Sequence, residues 1–235
     1  MADISYDVAA SRYKRPQLPA EVATYVRGLI ISGAVQPGEF LRMEPIAEAV
    51  GVSNTPVREG LLALQSEGFV RLVPRRGFVV APFSAQDVHD LFWAQAQLAG
   101  ELAARAAVNI TPEQLKGLVE VHKLHGEAIA AGDLERVSEL GHEFHRHINR
   151  AANSYRLALL LKSIVKQLPS EFYVHIEGQL AATVKKHRRL VTVLRKGEAD
   201  KARALMEEHV LEGADYLIKT LEQRGTFARS EEQAA

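Results

Sequence analysis

The sequence predicts a mainly α protein in two parts: an N-terminal winged helix-turn-helix with a small β-hairpin wing, then a C-terminal all-α bundle of six or seven helices. Two observations predict it. Residues 42–80, RMEPIAEAVGVSNTPVREGLLALQSEGFVRLVPRRGFVV, read as a helix, a tight turn, a second helix and a two-stranded hairpin. Beyond Pro82 strand signals vanish, and apolar residues recur at helical spacing to about Gln223.

In the first helix Ile46, Ala47 and Val50 share one face, and Gly51 ends it. Ser53 and Thr55 are both hydroxyl N-cap candidates, and Pro56 suits a first helical position, where its missing N–H is no loss. A second helix therefore starts near Thr55. Its apolar set Val57, Leu61, Leu62 and Leu64 faces inward, leaving Asn54, Thr55, Arg58, Glu59 and Gln65 toward solvent or a ligand. A helix start offers free N–H groups to a phosphate, and an arginine one turn later reaches a phosphate or the O6 and N7 edge of guanine. Arg58 is thus the main base-contact candidate.

After Gly68, Phe69–Val73 turns at Pro74-Arg75-Arg76-Gly77 and returns as Phe78-Val79-Val80. Two arginines at a hairpin tip suit a phosphate or a minor-groove edge. Any one of these side chains alone reads as a solvated charge; their combination points to DNA.

In the second part Ser84 caps a helix running to about Asn109, and Thr111-Pro112-Glu113 opens another. Gly132-Asp133 separates that from a third. Asn153-Ser154 and Pro169 mark later breaks, and Gly197-Glu198 starts the last long helix. The expected organisation is a flexible arm over residues 1–17, a DNA-binding domain over 18–82, a helical domain over 83–224 and a disordered tail over 225–235. Lys14 and Arg15 in the arm read as a solvated tail or a phosphate contact.

Composition narrows the class. A hydrophobic share of 47% over 235 residues is enough for a sizeable core, and 25% charged residues is ordinary for a globular protein. Lys and Arg balance Asp and Glu at 29 each, so DNA affinity must come from local placement of charge rather than from a basic coat. With no cysteine there is no disulfide framework and no thiolate metal site. No apolar run approaches the roughly 18 residues of a membrane span, and no signal peptide stretch opens the chain, so a cytoplasmic location without membrane partners is expected.

Three of the nine histidines fall on inward helical faces. His145 lies with Val137, Gly141, Phe144 and Ile148; His187 with Leu180, Val184, Val191 and Leu194; His209 with Ala202, Leu205, Gly213 and Tyr216. One inward histidine is usually a satisfied core residue. Three on three helices suit a zinc or other borderline transition-metal shell, if they converge. His89, His122, His125, His147 and His175 read as surface or local hydrogen-bonding residues.

The segment from Leu18 to Pro82 resembles the winged helix-turn-helix of the GntR family of bacterial transcription regulators. The match lies in GVSNTPVREGLLALQSEGFV followed by PRRGFVV, against a family habit of VSxTPVREAL, a later EG and a basic residue before the wing glycine. The resemblance implies DNA contacts from Ser53, Thr55, Arg58, Arg76 and Gly77, to which the residue reading adds Asn54 and Arg75. Asn54 stands where the family usually has arginine, and Glu44 where several members have a basic residue, so the operator is expected to depart from the common half-site.

The C-terminal half resembles the helical FCD-type effector domain of the FadR branch. Many members bind a divalent metal through an Asp or Asn, a His four residues later, and two further histidines. Here Glu143-Phe144-His145, His187-Arg188-Arg189-Leu190 and Met206-Glu207-Glu208-His209 match the three histidine positions, implying a zinc or nickel site. Gly141 stands where the carboxylate or amide belongs, which leaves three histidines, and His142 points about 100° away on an ideal helix. A family arginine that often faces the ligand is Gln97 here, which leaves Gln97, Arg105 and Arg146 as effector candidates; the two arginines read first as surface or interhelix salt-bridge residues.

The resemblance implies a homodimer on a palindromic double-stranded DNA operator, a lean toward repression, and a small metabolite, an organic acid, sensed in the helical domain. Two other readings stand beside it. A three-histidine shell with an open position also suits a metal-dependent hydrolase with an appended DNA module, although no inward carboxylate serves as general base. A third reading keeps the DNA module but makes the histidines purely structural, with no metal and an effector held by other groups.

Overall fold

The computed structural model describes residues 18–168 and 180–223. The arm with Lys14 and Arg15, the break at Pro169, His175 and the C-terminal tail lie outside the described residues. The chain divides into two compact units, Met1–Pro82 and Phe83–Ala235.

In the first unit α1 (Leu18–Ile31) packs on α3 (Asn54–Ser66), with the short α2 (Met43–Val50) between them in sequence. Val22, Val26, Ile30 and Ile31 of α1 meet Val57, Leu61 and Leu64 of α3 in a core that excludes water. The approach is close because α3 has a glycine at the contact. A Cβ on Gly60 would lie 2.8 Å from the Pro19 carbonyl oxygen and 2.8 Å from Val22 Cγ1. The end of α3 is tied to α1 by Arg27, a buried arginine whose Nε donates to Glu67 at 3.2 Å and whose guanidinium lies 5.7 Å from the centre of the Phe69 ring.

Gly51 ends α2 in the left-handed region at φ 75°, where its N–H reaches the Ala47 carbonyl at 2.9 Å. The turn to α3 follows at once. Ser53 occupies the N-cap position and Thr55 is already inside the helix. Pro56 falls at the third helical position rather than the first, which costs nothing because that N–H also lacks an intrahelical acceptor. Leu62 corrects the expected inward set: it is 43% exposed, because the α1 contact takes the stripe through Val57, Gly60, Leu61 and Leu64 and leaves Leu62 turned out.

The wing is larger than the hairpin read from sequence. Strands β2 (Val70–Val73) and β3 (Gly77–Val80) pair with Val70 opposite Val80 and Val73 opposite Gly77. A third strand, β1 (Phe40–Leu41), adds to the far side of β3 with Phe40 opposite Val79. Two residues carry no period, so pattern reading passes over such a strand.

The second unit is helical among the described residues: α4 (Ala85–Asn109), α5 (Pro112–Ala131), α6 (Leu134–Ala151), α7 (Tyr155–Val165), α8 (Leu180–Lys196) and α9 (Ala199–Gln223). Local signals set the starts. The Ser84 side chain accepts from the Asp87 N–H while Asp87 accepts from the Ser84 N–H, Thr111 and Gln114 do the same, and Asp133 accepts from the Arg136 N–H. The 25-residue helices α4 and α9, each about 37 Å long by the usual rise, lie against one another. Small residues on α4 make this possible: Ala96, Ala99, Gly100, Ala103 and Ala107 are buried, and a Cβ on Gly100 would meet the Glu207 side chain at 2.7 Å. Phe144, Leu102, Leu118, Ile148, Leu190, Leu194 and Met206 fill the core that the remaining helices enclose. No helix of the described residues is long and apolar enough to cross a membrane.

Candidate functional sites

The start of α3 presents Ser53, Asn54, Thr55 and Arg58, all exposed, with Arg58 one turn beyond Asn54 and Thr55 on the same side. The Ser53 side chain makes no capping hydrogen bond, so the first N–H groups of α3 keep their capacity for an outside acceptor. At the wing tip Arg75 and Arg76 are exposed and Gly77 is half-buried. Arg75 adopts φ 62° and Gly77 φ 99°, and the Arg76 N–H donates to the Val73 carbonyl at 3.0 Å, so the tip is a tight, hydrogen-bonded turn. The Arg76 guanidinium lies 4.5 Å over the Phe40 ring. The strand that the sequence reading missed therefore holds one of the arginines that it found.

In the helical unit the three histidines converge. His209 Nε2 lies 3.3 Å from His187 Nε2 and 3.2 Å from His145 Nε2, and the three rings come from α9, α8 and α6. Their potential ligand atoms all lie within 4.8 Å of one another, with His187 fully buried and the other two partly exposed. Nitrogens at about 2.0 to 2.1 Å from a tetrahedral metal are separated by about 3.3 to 3.4 Å, so these spacings fit a shared cation. A hydrogen-bonded triad fits less well, because the single proton or lone pair on His209 Nε2 cannot serve two neighbours equally. Phe144, next to His145 in sequence, stacks on the His187 ring at 4.0 Å and 13°.

The protonation states suit ligation. Burial first, and then the neighbouring His209 and His145, hold the His187 pKa well below its ordinary value. Burial and then the Lys186 ammonium push His209 down to about 4. Both rings are neutral at pH 7, the form in which imidazole binds a metal. Lys186 ion-pairs with Glu208 and Glu212.

The effector candidates are engaged elsewhere. Gln97 is exposed on α4. Arg105 donates to Glu101 at 2.7 Å and to Ser154 at 2.9 Å, and Glu101 also accepts from Arg203, so both arginines hold its carboxyl below the usual range. Arg146 pairs with Glu143, which also accepts from Arg150 and His147. These arginines take the salt-bridge role that the sequence favoured for them, and Glu143 is bound into a surface network, where it cannot act as a base toward the histidine cluster.

Sequence reading misjudged His125. It is 0% exposed on α5, with its ring 5.3 Å from that of His187, and His122 is half-buried at 6.3 Å from the same ring. The signal was present: Leu118, Val121, His125 and Ala128 recur at helical spacing and are all buried. His89 is exposed and His147 pairs with Glu143, as expected of surface residues.

A winged helix-turn-helix followed by an all-helical unit with converging histidines defines a DNA-binding regulator with a C-terminal helical domain as its class. Comparison with known proteins agrees. Residues 18–80 match the family described as bacterial regulatory proteins, gntR family, and residues 90–212 match the FCD domain. The HTH-type transcriptional regulator McbR of Escherichia coli is 27% identical over 165 residues, covering 70% of this chain and 75% of McbR. The probable D-xylose utilization operon transcriptional repressor of Paenarthrobacter nicotinovorans is 25% identical over 223 residues, covering 93% of this chain and 96% of that protein. The solved structure of E. coli McbR/YncC superposes with a TM-score of 0.65 at 22% identity, covering 86% of this chain and 98% of that one, which shows the shared fold. The chain belongs to the GntR family, with the FCD domain that fits its FadR branch. The family and the relatives are transcription regulators and not enzymes, so the hydrolase reading falls.

Proposed function

We propose that this protein is a ligand-responsive transcription regulator that binds a palindromic operator in double-stranded DNA as a cytoplasmic homodimer and acts as a repressor. The observation that carries the reading is the exposed, uncapped start of α3 with Arg58 one turn along, in a chain that also holds a three-histidine centre. Two copies related by a two-fold axis would present two α3 helices to half-sites about one helical turn of DNA apart, which is why a palindrome is expected. Asn54, Thr55 and Arg58 would read base edges; Ser53, Arg75, Arg76 and Gly77 would hold the sugar-phosphate backbone or the minor groove. A relative named as a probable repressor over nearly the whole chain supports the direction of control.

His145, His187 and His209 would hold a divalent transition metal, zinc or nickel, because neutral imidazoles suit these ions and no thiolate is present. When bound, the metal would supply a positive centre able to take an oxygen ligand. Gly141 contributes no side chain to that shell, which leaves room for water or the carboxylate of an organic acid. An acid that binds the DNA-competent and DNA-incompetent arrangements with different affinity would shift their balance.

The test is selection of genomic DNA fragments by the purified protein at near-physiological salt, where non-specific phosphate binding is weak. Recovery of a short palindrome supports the reading, and the genes beside it nominate the acid. Absence of enrichment, with and without added zinc or nickel, would overturn it.

A further inference from the structure

The hairpin of α8 and α9 carries two of the converging histidines and also a cleft that no histidine lines. Gly197 turns the chain between the helices at φ 70°, and the Glu198 N–H donates to the Val193 carbonyl at 3.0 Å, so the two run side by side from a tight corner. The cleft between them holds about 540 Å³, inside the range of about 300 to 1,000 Å³ usual for small-molecule sites. Val193, Ala204 and Leu205 give it an apolar lining. Arg188 and Arg189 stand at one end, and Lys196 lies two turns further along α8, about 12 Å away by the helical rise. Charge in the cleft is unbalanced. Its two acids are taken, Glu198 by Lys201 at 3.2 Å and Glu208 by Lys186 at 3.5 Å. Arg188, Arg189 and Lys196 are exposed and have no ion-pair partner among the described residues. Solvated bases on a convex surface would mean little. Here three of them edge a concave apolar surface large enough to take a ligand.

We propose that this cleft binds a phosphorylated small molecule of the nucleotide kind, with its phosphates on Arg188 and Arg189 and its flat body along Val193 and Leu205 toward Lys196. The number of free bases favours phosphate over carboxylate. A phosphate monoester carries about 1.5 to 2 negative charges where a carboxylate carries one. Guanidinium forks also match phosphate oxygens bidentately. The apolar lining favours a ligand with a body, because inorganic phosphate would leave Val193 and Leu205 in water and most of the cleft unused. Lys196 at the far end suits the ring nitrogens and carbonyl oxygens that a nucleobase offers as acceptors. The site is distinct from the three-histidine centre and does not rest on the acid-sensing reading.

The probes are ADP, GDP, inorganic pyrophosphate and succinate, each titrated by calorimetry into the chelator-treated full-length protein. A nucleoside diphosphate is expected to bind more tightly than pyrophosphate, and succinate least. Arg189→Ala should weaken that binding by about tenfold, the usual effect of losing a charge-assisted hydrogen bond. Ala204→Trp, which keeps every charge but fills the cleft, should abolish nucleotide binding and leave pyrophosphate bound weakly. Arg189 and Ala204 are both exposed, so these variants keep the fold. Unchanged nucleotide affinity in either variant would overturn the site, as would failure of both ADP and GDP to bind wild type at millimolar concentration. Pyrophosphate or succinate binding as tightly as the nucleotides would reduce the cleft to a patch of charge and overturn the proposal too. A loss of affinity for random-sequence duplex DNA in Arg189→Ala, with no nucleotide bound by wild type, would give these bases to the DNA backbone instead. The regulator reading is judged separately by operator selection and survives each of these failures.

Discussion

Metal binding to the native protein should be visible as stabilisation, and its size follows from mass action. The three Nε2 atoms already stand at separations of 3.2 and 3.3 Å along the two contacts to His209, close to the edges of a tetrahedral shell, so little rearrangement opposes binding. Zinc or nickel at about a hundred times its Kd would stabilise the folded chain by about 2.7 kcal/mol, less whatever affinity the unfolded histidines retain. For a chain of this size about 1 kcal/mol shifts Tm by about 2 to 4 °C, so a rise of about 5 to 11 °C is expected over chelator-treated protein. Differential scanning calorimetry on wild type, His145→Ala, His187→Ala and His209→Ala reads it, with metal analysis of the native protein alongside. Each single variant should lose most of the rise, because the ligands come from three separate helices and two alone make a weak shell. His142→Ala, one residue along and off the shared face, should keep it. A rise of equal size in all three ligand variants, or none in wild type with no metal carried through purification, would refute the metal centre and leave the histidines structural.

Arg58→Ala should weaken specific operator binding by at least about 1 kcal/mol, read by fluorescence anisotropy at fixed salt; undiminished affinity sinks the base-contact assignment. Gly60→Val should cost about 2 kcal/mol by urea unfolding, because its Cβ meets the Pro19 carbonyl, a backbone atom that cannot rotate away; a stable variant would mean that α1 slides freely. Metal-free protein should lose stability on acidification. His209 has a pKa of about 4 in the fold against 6.5 in the unfolded chain, so below pH 6.5 the unfolded state takes up the proton first. The contribution is fully present above pH 6.5, falls away between 6.5 and about 4, and amounts to about 3 kcal/mol, with His187 acting in the same direction. Urea midpoints at pH 7.5 and 4.5 check this against His209→Gln, and a fall of the same size in that variant would show that other groups cause it.

Much of the fold was legible because its signals are local. Ser84, Thr111 and Asp133 announce helices by bonding their own first turns, and Gly51 ends α2 with a backbone conformation other residues avoid. The inward placement of His145, His187 and His209 followed from helical spacing, but their convergence did not, since it depends on how three helices pack. What escaped reading was set by tertiary contact. β1 is two residues long and exists because β3 has an open edge. Leu62 turns outward because α1 claims the neighbouring stripe through Gly60. Arg105 and Arg146 could be named as ligand contacts only while their carboxylate partners Glu101 and Glu143 were unseen, and Glu101 also accepts from Arg203, a bond from α9 to α4 that no local pattern announces. His125 was passed over because it was judged by residue type rather than by the Leu118, Val121 and Ala128 around it.

The stack of Phe144 on His187 couples two helices in a way that neither ligand does alone. Adjacent positions on α6 give the centre a nitrogen donor and the plate against which the opposing ring lies flat. Rolling α6 by one residue's angular step, about 100°, would withdraw both together, so the pair holds α6 in one rotational register against α8. Anything that grips the histidines thus locks a rotation, and anything that rotates α6 is felt at once as a change in grip.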